Sequence, residues 1–238
     1  KKNDTGNLKI SFKNKNNTFK YQINQNTLDI TSKDNNRIFK GLIEFKPFYL
    51  VSNFKYQTFR IKDLLENPFF MEILRSQILN NKNLNAKINF DVKDVYDFDR
   101  FSDLSLKLKI EEGNYNFSNS NIIWKENVNV RFSDSFLNFN KEKINLNGRT
   151  SFDVKNQDEF YKFFQIKKDL RKDIKKIELD FNYDFNDEKI TFDNLRIDDR
   201  SNKKIEEIVS NFNSKSKKFF NKVTFKNFVN DILLAYFG

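Results

Sequence analysis

Apolar and polar residues alternate along much of this chain, in one short run after another. Leu104-Ser105-Leu106-Lys107-Leu108-Lys109-Ile110 alternates without a fault, Val128-Asn129-Val130-Arg131-Phe132 repeats the pattern, and residues 177–185 form the longest example. Side chains of a strand point alternately to opposite faces, so such runs specify sheet with one apolar and one polar face. Earlier runs cover residues 8–12, 19–23 and 28–31, then 38–45 and 48–56 with Pro47 between them. Proline removes a ladder donor and so fits a turn or strand end there. Beyond residue 80, Leu84, Ala86, Ile88, Phe90 and Val92 share one face. Residues 104–110, a Glu111-Glu112-Gly113-Asn114 turn and residues 115–117 form a hairpin pattern. Further strands are expected at 128–132, 136–139, 144–146, 150–154, 177–185 and 190–197.

Three segments change period. Ile61, Leu64, Leu65, Phe70, Ile73, Leu74 and Ile78 follow helical spacing, with Asn67-Pro68 suited to start a second helical piece. Phe160, Phe163 and Phe164 share a helical face within residues 157–166, and the chain turns helical again after residue 201. With five Gly and two Pro, most turning falls to Asn and Asp, which tolerate left-handed backbone. The fold class expected is mainly β (α+β): a long antiparallel, one-sided curved meander forming an open groove, with short helices at 61–80 and 157–166. Residues 1–200 would form the β-rich groove domain and residues 201–238 a C-terminal helical segment.

Composition then removes most chemistry. The chain of 238 residues has no Cys and no His, which excludes disulfides, thiolate metal sites and Ser-His-Asp or Cys-His nucleophilic centres. Its 29 Phe accompany abundant Lys, Asn and Ile, a mixture that matches AT-rich coding bias. The net charge of +10 raises the alternative of a basic, β-rich nucleic-acid-binding module. Residues 1–60 hold 12 Lys+Arg against 4 Asp+Glu, a net +8. Elsewhere the two signs are interleaved, as on a solvated strand face. Asp91, Asp94, Asp97, Asp99 and Asp103 cluster without the spacing of a calcium-binding loop. Lys167, Lys168, Arg171, Lys172, Lys175 and Lys176 form a basic patch that could meet anionic headgroups or simply solvent. No catalytic residue, metal ligand or cofactor site is expected. No run of 18 apolar residues is present, and a start at Lys1-Lys2-Asn3-Asp4 without Met suggests a piece of a longer protein.

Three segments carry a resemblance to a known family. They are Lys40-Gly41-Leu42-Ile43-Glu44-Phe45-Lys46-Pro47-Phe48, Leu84-Asn85-Ala86-Lys87-Ile88-Asn89-Phe90, and Asn182-Tyr183-Asp184-Phe185 continuing through Ile190-Thr191-Phe192-Asp193-Asn194-Leu195-Arg196-Ile197-Asp198. In order and pattern, residues 37–200 resemble the C-terminal region of AsmA-like proteins of Gram-negative bacteria. That resemblance implies a non-enzymatic periplasmic protein, anchored to the inner membrane by a segment outside this chain. It further implies a role in outer-membrane assembly or phospholipid movement, with envelope lipid and envelope proteins as partners and no nucleic acid.

The candidate lipid-binding groove follows from the alternation: Ile88, Phe90, Val92, Leu104, Leu106, Leu108, Ile110, Tyr115, Phe117, Val128, Val130, Phe132, Leu179, Phe181 and Tyr183. Acyl chains laid along such a row gain about 0.8 kcal/mol for each methylene buried. The competing expectation is an ordinary sheet core covered by the helices at 61–80, 157–166 and 202–237.

Overall fold

The computed structural model describes residues 4–12, 15–60, 72, 76, 81–96, 101–124, 126–140, 143–215 and 222–237. The fold is mainly β with helices, as the alternation predicts. The chain divides into two compact units, Lys1–Phe117 and Ser118–Gly238. The boundary expected at residue 200 is not where the contacts divide the chain. The C-terminal helices bury their apolar residues in the second unit's core.

In the first unit the strands lie side by side in chain order: β1 (Asp4–Phe12), β2 (Lys15–Ile23), β3 (Thr27–Lys33), β4 (Arg37–Phe45), β5 (Phe48–Phe59), β6 (Asn85–Val95), β7 (Phe101–Glu111) and β8 (Asn114–Asn116). Tight turns join most neighbours. Pro47, in a cis peptide with Lys46, sits in the two-residue turn between Phe45 and Phe48, as expected of it. One pair departs from the expected antiparallel meander: β5 and β6 run parallel, with Ser52 opposite Ile88 and Phe54 opposite Phe90. Parallel neighbours need a crossover between them, and residues 60–84 supply its length. The helices expected at 61–80 lie outside the described residues, apart from Glu72 and Ser76. There the Ser76 N–H donates to the Glu72 carbonyl at 2.8 Å, an α-helical bond.

The second unit holds β9 (Asn121–Trp124), β10 (Val128–Asn140), β11 (Lys143–Val154), α1 (Gln157–Phe164), β12 (Lys176–Asp184), β13 (Lys189–Ile197), α2 (Lys203–Lys215) and α3 (Lys222–Phe237). Each strand from β9 to β13 pairs antiparallel with the next. Asn156 caps α1 by accepting from the Glu159 N–H, and Asn202 accepts from the Ile205 N–H at the start of α2. The three helices place Phe160, Phe164, Ile205, Val209, Phe228 and Leu233 in one cluster with the apolar side of the sheet.

Two runs expected as separate strands, 128–132 and 136–139, are one strand with a bulge. The register shifts between Ser133 and Phe136, where β10 carries one residue more than β11. Asp134 takes a left-handed φ of 47° there. The extra residue resets the parity, so Leu137 (opposite Leu146) lies on the same face as Val128 and Val130. Gly148 is part of the device, because a Cβ on it would lie 2.6 Å from Ser135 Cα. Backbone cannot retreat as a side-chain tip can. Gly148→Ala is therefore expected to destabilise the second unit by about 1–3 kcal/mol. Gly41→Ala, whose Cβ would meet only the movable Phe39 ring, is expected to lose less; urea unfolding of both variants compares them.

Candidate functional site

The pairings put one half of the candidate residues together. Ile88 faces Leu108, Phe90 faces Leu106 and Val92 faces Leu104 across β6 and β7, and Ile110 faces Tyr115. These residues share one face of the first unit's sheet. Phe117 lies just past the end of β8 and is part-buried. Val92, Leu104, Ile110 and Tyr115 are buried, whereas Ile88, Phe90, Leu106 and Leu108 are only part-buried. Burial pushes the Tyr115 hydroxyl up to about 12, which keeps it protonated at any physiological pH.

The same face extends over strands absent from the candidate set. Register carries it from Leu108 and Ile88 to Ser52, Gly41, Ile30 and Tyr21. A parallel row runs from Leu106 through Phe90 and Phe54 to Phe39. Phe39 touches Phe54 at 4.7 Å between ring centres, and Phe54 lies 6.1 Å from Phe90. Phe19 meets Phe39 edge-on at 5.8 Å across the small Ser32. Toward the margins the face opens to solvent: Leu8 is 45%, Ile10 46%, Phe45 38% and Phe48 42% exposed. The signal was present in residues 38–45 and 48–56, but β4 and β5 also carry Ile38, Leu42, Tyr49 and Val51 on the opposite face. That second apolar set hid the parity.

In the second unit the expectation of an open groove is overturned for most of its residues. Val128, Val130, Leu179 and Phe181 are buried in the cluster that includes the three helices, and Phe132 packs against it. Phe132 meets Phe181 at 5.9 Å, while Phe192, Phe212 and Phe228 bring β13, α2 and α3 together ring on ring. Tyr183 is part-buried beside Phe185. The alternative of a helix-covered core describes this unit.

Several of the polar side chains are held by partners within the chain. Asp91 accepts from Ser105 Oγ, and Asp103 accepts from Lys93 Nζ. Asp97 and Asp99 lie outside the described residues, and among those described no group of three acidic residues is placed to hold a metal ion. In the basic patch, Arg171 donates to the Ile166 carbonyl and Lys172 to the Phe237 carbonyl. A cleft of about 420 Å³ between β13 and α2 is walled by Asp193, Arg196, Glu206 and Asn213. Among the described residues no helix is long and apolar enough to cross a membrane.

The segment Phe192-Asp193-Asn194-Leu195 is a second bulge. The register shifts between Glu178 and Asp180, and Asn194 takes a φ of 51°. The extra residue lets Phe192, Leu195 and Ile197 all face inward. Asn194 Nδ2 and Arg149 Nε each reach the Asp180 carboxylate at 2.8 Å. Burial alone would raise the pKa of Asp180; the hydrogen bonds from Arg149 and Asn194 together with the charges of Arg149 and Arg196 outweigh it and hold the carboxyl below its ordinary value. A depressed carboxyl stabilises the fold above its unfolded pKa and ceases to do so as pH falls through the folded one. Asp180→Asn should thus lower Tm at pH 7, by an amount equivalent to less than about 1 kcal/mol because Arg149 is half exposed. The gap to the parent should close below pH about 4, as thermal melts across pH would record.

No protein-family model, curated protein or solved structure matches this chain.

Proposed function

We propose that this chain is a non-enzymatic envelope protein domain whose first unit holds lipid acyl chains against its apolar sheet face. In this reading it supports outer-membrane assembly or phospholipid movement between membranes. The observation that carries the lipid reading is the state of that face. Its apolar rows run across the strands of the first unit, interrupted at Ser32, Gly41 and Ser52, and Leu8, Ile10, Phe45 and Phe48 stand substantially in water. Periplasmic placement and an inner-membrane anchor outside this chain belong to the proposal through the AsmA-like resemblance of residues 37–200.

The energetics favour long flexible chains. Ten methylenes laid on the face contribute about 8 kcal/mol, against an association cost of about 4–15 kcal/mol. A short chain falls below that threshold and a long one passes it. Specificity for a headgroup is not required, because the face offers rings and aliphatic side chains in place of converging polar groups.

Titration with saturated fatty acids of increasing length, followed by native mass spectrometry, tests the proposal. Affinity should rise about fourfold for each added methylene, the equivalent of ~0.8 kcal/mol. Phe45→Ser with Phe48→Ser should weaken capture severalfold while the far-UV spectrum is kept. Val223→Ser, at an exposed position of the second unit, should leave capture unchanged. Leu106→Asp should abolish it in a folded protein. Protein that stays bare at every chain length, or that merely unfolds on Leu106→Asp, would show that internal packing occupies the face.

A further inference from the structure

A charged side chain stands among the rings of the first unit's apolar face. Arg37 opens β4 opposite Tyr56, two residues before Phe39, which lies opposite Phe54. Side chains two apart on a strand share a face, so Arg37 is in line with Phe39, Gly41, Ile43 and Phe45. Tyr56 lies beside Val92 of β6 in register, and its ring is 5.2 Å from Phe90. On the other side, the guanidinium carbon sits 5.8 Å from the centre of the Phe19 ring. Only 18% of the Arg37 side chain is exposed. Its Nε is shut off from solvent and has no hydrogen-bond partner among the described residues.

Shielding a cation in this way is costly unless partners offset it, and the partners described are modest. Nη2 donates to Asn17 Oδ1, a neutral acceptor, at 2.8 Å. Its ion pair with Asp34 is 3.4 Å long, and the Asp34 side chain is 53% exposed. Asp34 is also engaged in the turn between β3 and β4, where Oδ1 accepts the backbone N–H of Asn36 at 2.9 Å and of Arg37 at 2.7 Å. A guanidinium offers five N–H groups in a planar fork that fits a carboxylate or a phosphate.

We propose that the apolar face takes an anionic amphiphile in one orientation, with its carboxylate or phosphate on Arg37 and its chain running along β4 and β5 toward Phe45 and Phe48. The inference rests on the acyl-chain reading and adds to it a headgroup charge and a direction. The rings grip the chain, and Arg37 discriminates between heads. Charge complementarity favours this occupant, since residues 1–60 carry 12 Lys+Arg against 4 Asp+Glu. Length does too: from Arg37 to Phe45 the strand measures about 27 Å, and a membrane lipid's tail spans half of a ~30 Å hydrocarbon core. The two ends of the strip differ in kind. At the β4–β5 turn Phe45 and Phe48 are exposed rings that a tail would cover; at the opposite end stands the cation.

Isothermal titration of the whole chain with dodecanoate and with dodecanol, at neutral pH and low ionic strength, tests the orientation. The acid should bind at least about tenfold tighter than the alcohol, as a charge-assisted pair on a poorly solvated guanidinium requires. Arg37→Gln should bring the two affinities together. Asp34→Asn keeps an oxygen for the turn bonds but removes the competing charge, so it should widen the acid's advantage severalfold. Inorganic phosphate should bind far more weakly than dodecyl phosphate. An acid no tighter than the alcohol, an advantage that survives Arg37→Gln, or one that Asp34→Asn leaves unmoved would overturn the orientation, while the alcohol's binding keeps the acyl-chain reading standing. Inorganic phosphate binding as tightly as dodecyl phosphate would make Arg37 a free-anion site and overturn it as well. If neither acid nor alcohol binds, the acyl-chain reading itself fails, and the orientation with it. Should Arg37→Gln lose both ligands by misfolding, Asp34→Asn decides.

Discussion

Strand register is the constraint on which everything else in this protein rests. Side chains alternate with period two, so a slip of one residue moves a whole apolar row from one face to the other. The chain meets this constraint at two places where its sequence breaks the alternation. In β10 the extra residue near Asp134 returns Leu137 to the face of Val130. In β13 the extra residue at Asn194 lets Phe192 and Leu195, three apart, both point inward. Each correction needs local chemistry. Gly148 makes room for Ser135 beside the first bulge, and Asp180 receives the Asn194 amide beside the second. Asp and Asn do much of this left-handed work, as the scarcity of glycine implied, but Glu112, Glu126, Gln165 and Glu188 also adopt positive φ.

The same alternation serves two ends in the two units. In the second, amphipathic helices complete the core: Ile205, Leu233 and Ile197 are wholly excluded from solvent. Each fully buried aliphatic or aromatic side chain of this kind is worth about 1.5–3 kcal/mol. In the first unit the rows are less deeply buried, and the burial falls off from Val92 and Leu104 toward Leu8 and Ile10. The unit's buried apolar residues are gathered on β6, β7 and β8 (Ala86, Val92, Val95, Leu104, Ile110 and Tyr115), while the exposed ones of this face lie toward β1 and the β4–β5 turn.

What was legible in the sequence, and what was not, follows from this physics. Alternation identified the strands around residues 84–92, 104–110 and 177–185, and the shared face of Phe160, Phe163 and Phe164 identified α1. Period two carries no information about strand direction, so the parallel β5–β6 pair could not be read from it. Nor does it distinguish a strand end from a bulge, which is why β10 looked like two strands. The candidate face was found at β6 and β7, where the opposite positions are polar (Lys87, Lys107, Lys109). It was missed at β4 and β5, where Leu42 and Val51 lie on the other face. Val128, Val130, Leu179 and Phe181 were read as lining an open groove, because nothing in their own strands specifies that helices from residues 157–237 would cover them.

The ring contacts show how a phenylalanine-rich composition shapes a surface. Phenylalanine is the abundant large apolar residue here, and sheet geometry sorts it. Rings at Phe39, Phe54 and Phe90 occupy successive strands at one level, and Ser32 leaves the gap through which Phe19 reaches Phe39. Tilted and edge-on ring pairs add about 0.5–1.5 kcal/mol each beyond their buried area, so the rings stiffen the first unit from its surface side. On the described strands these rings form a ladder along one level of the face, and it is on this ladder that the acyl-chain proposal rests.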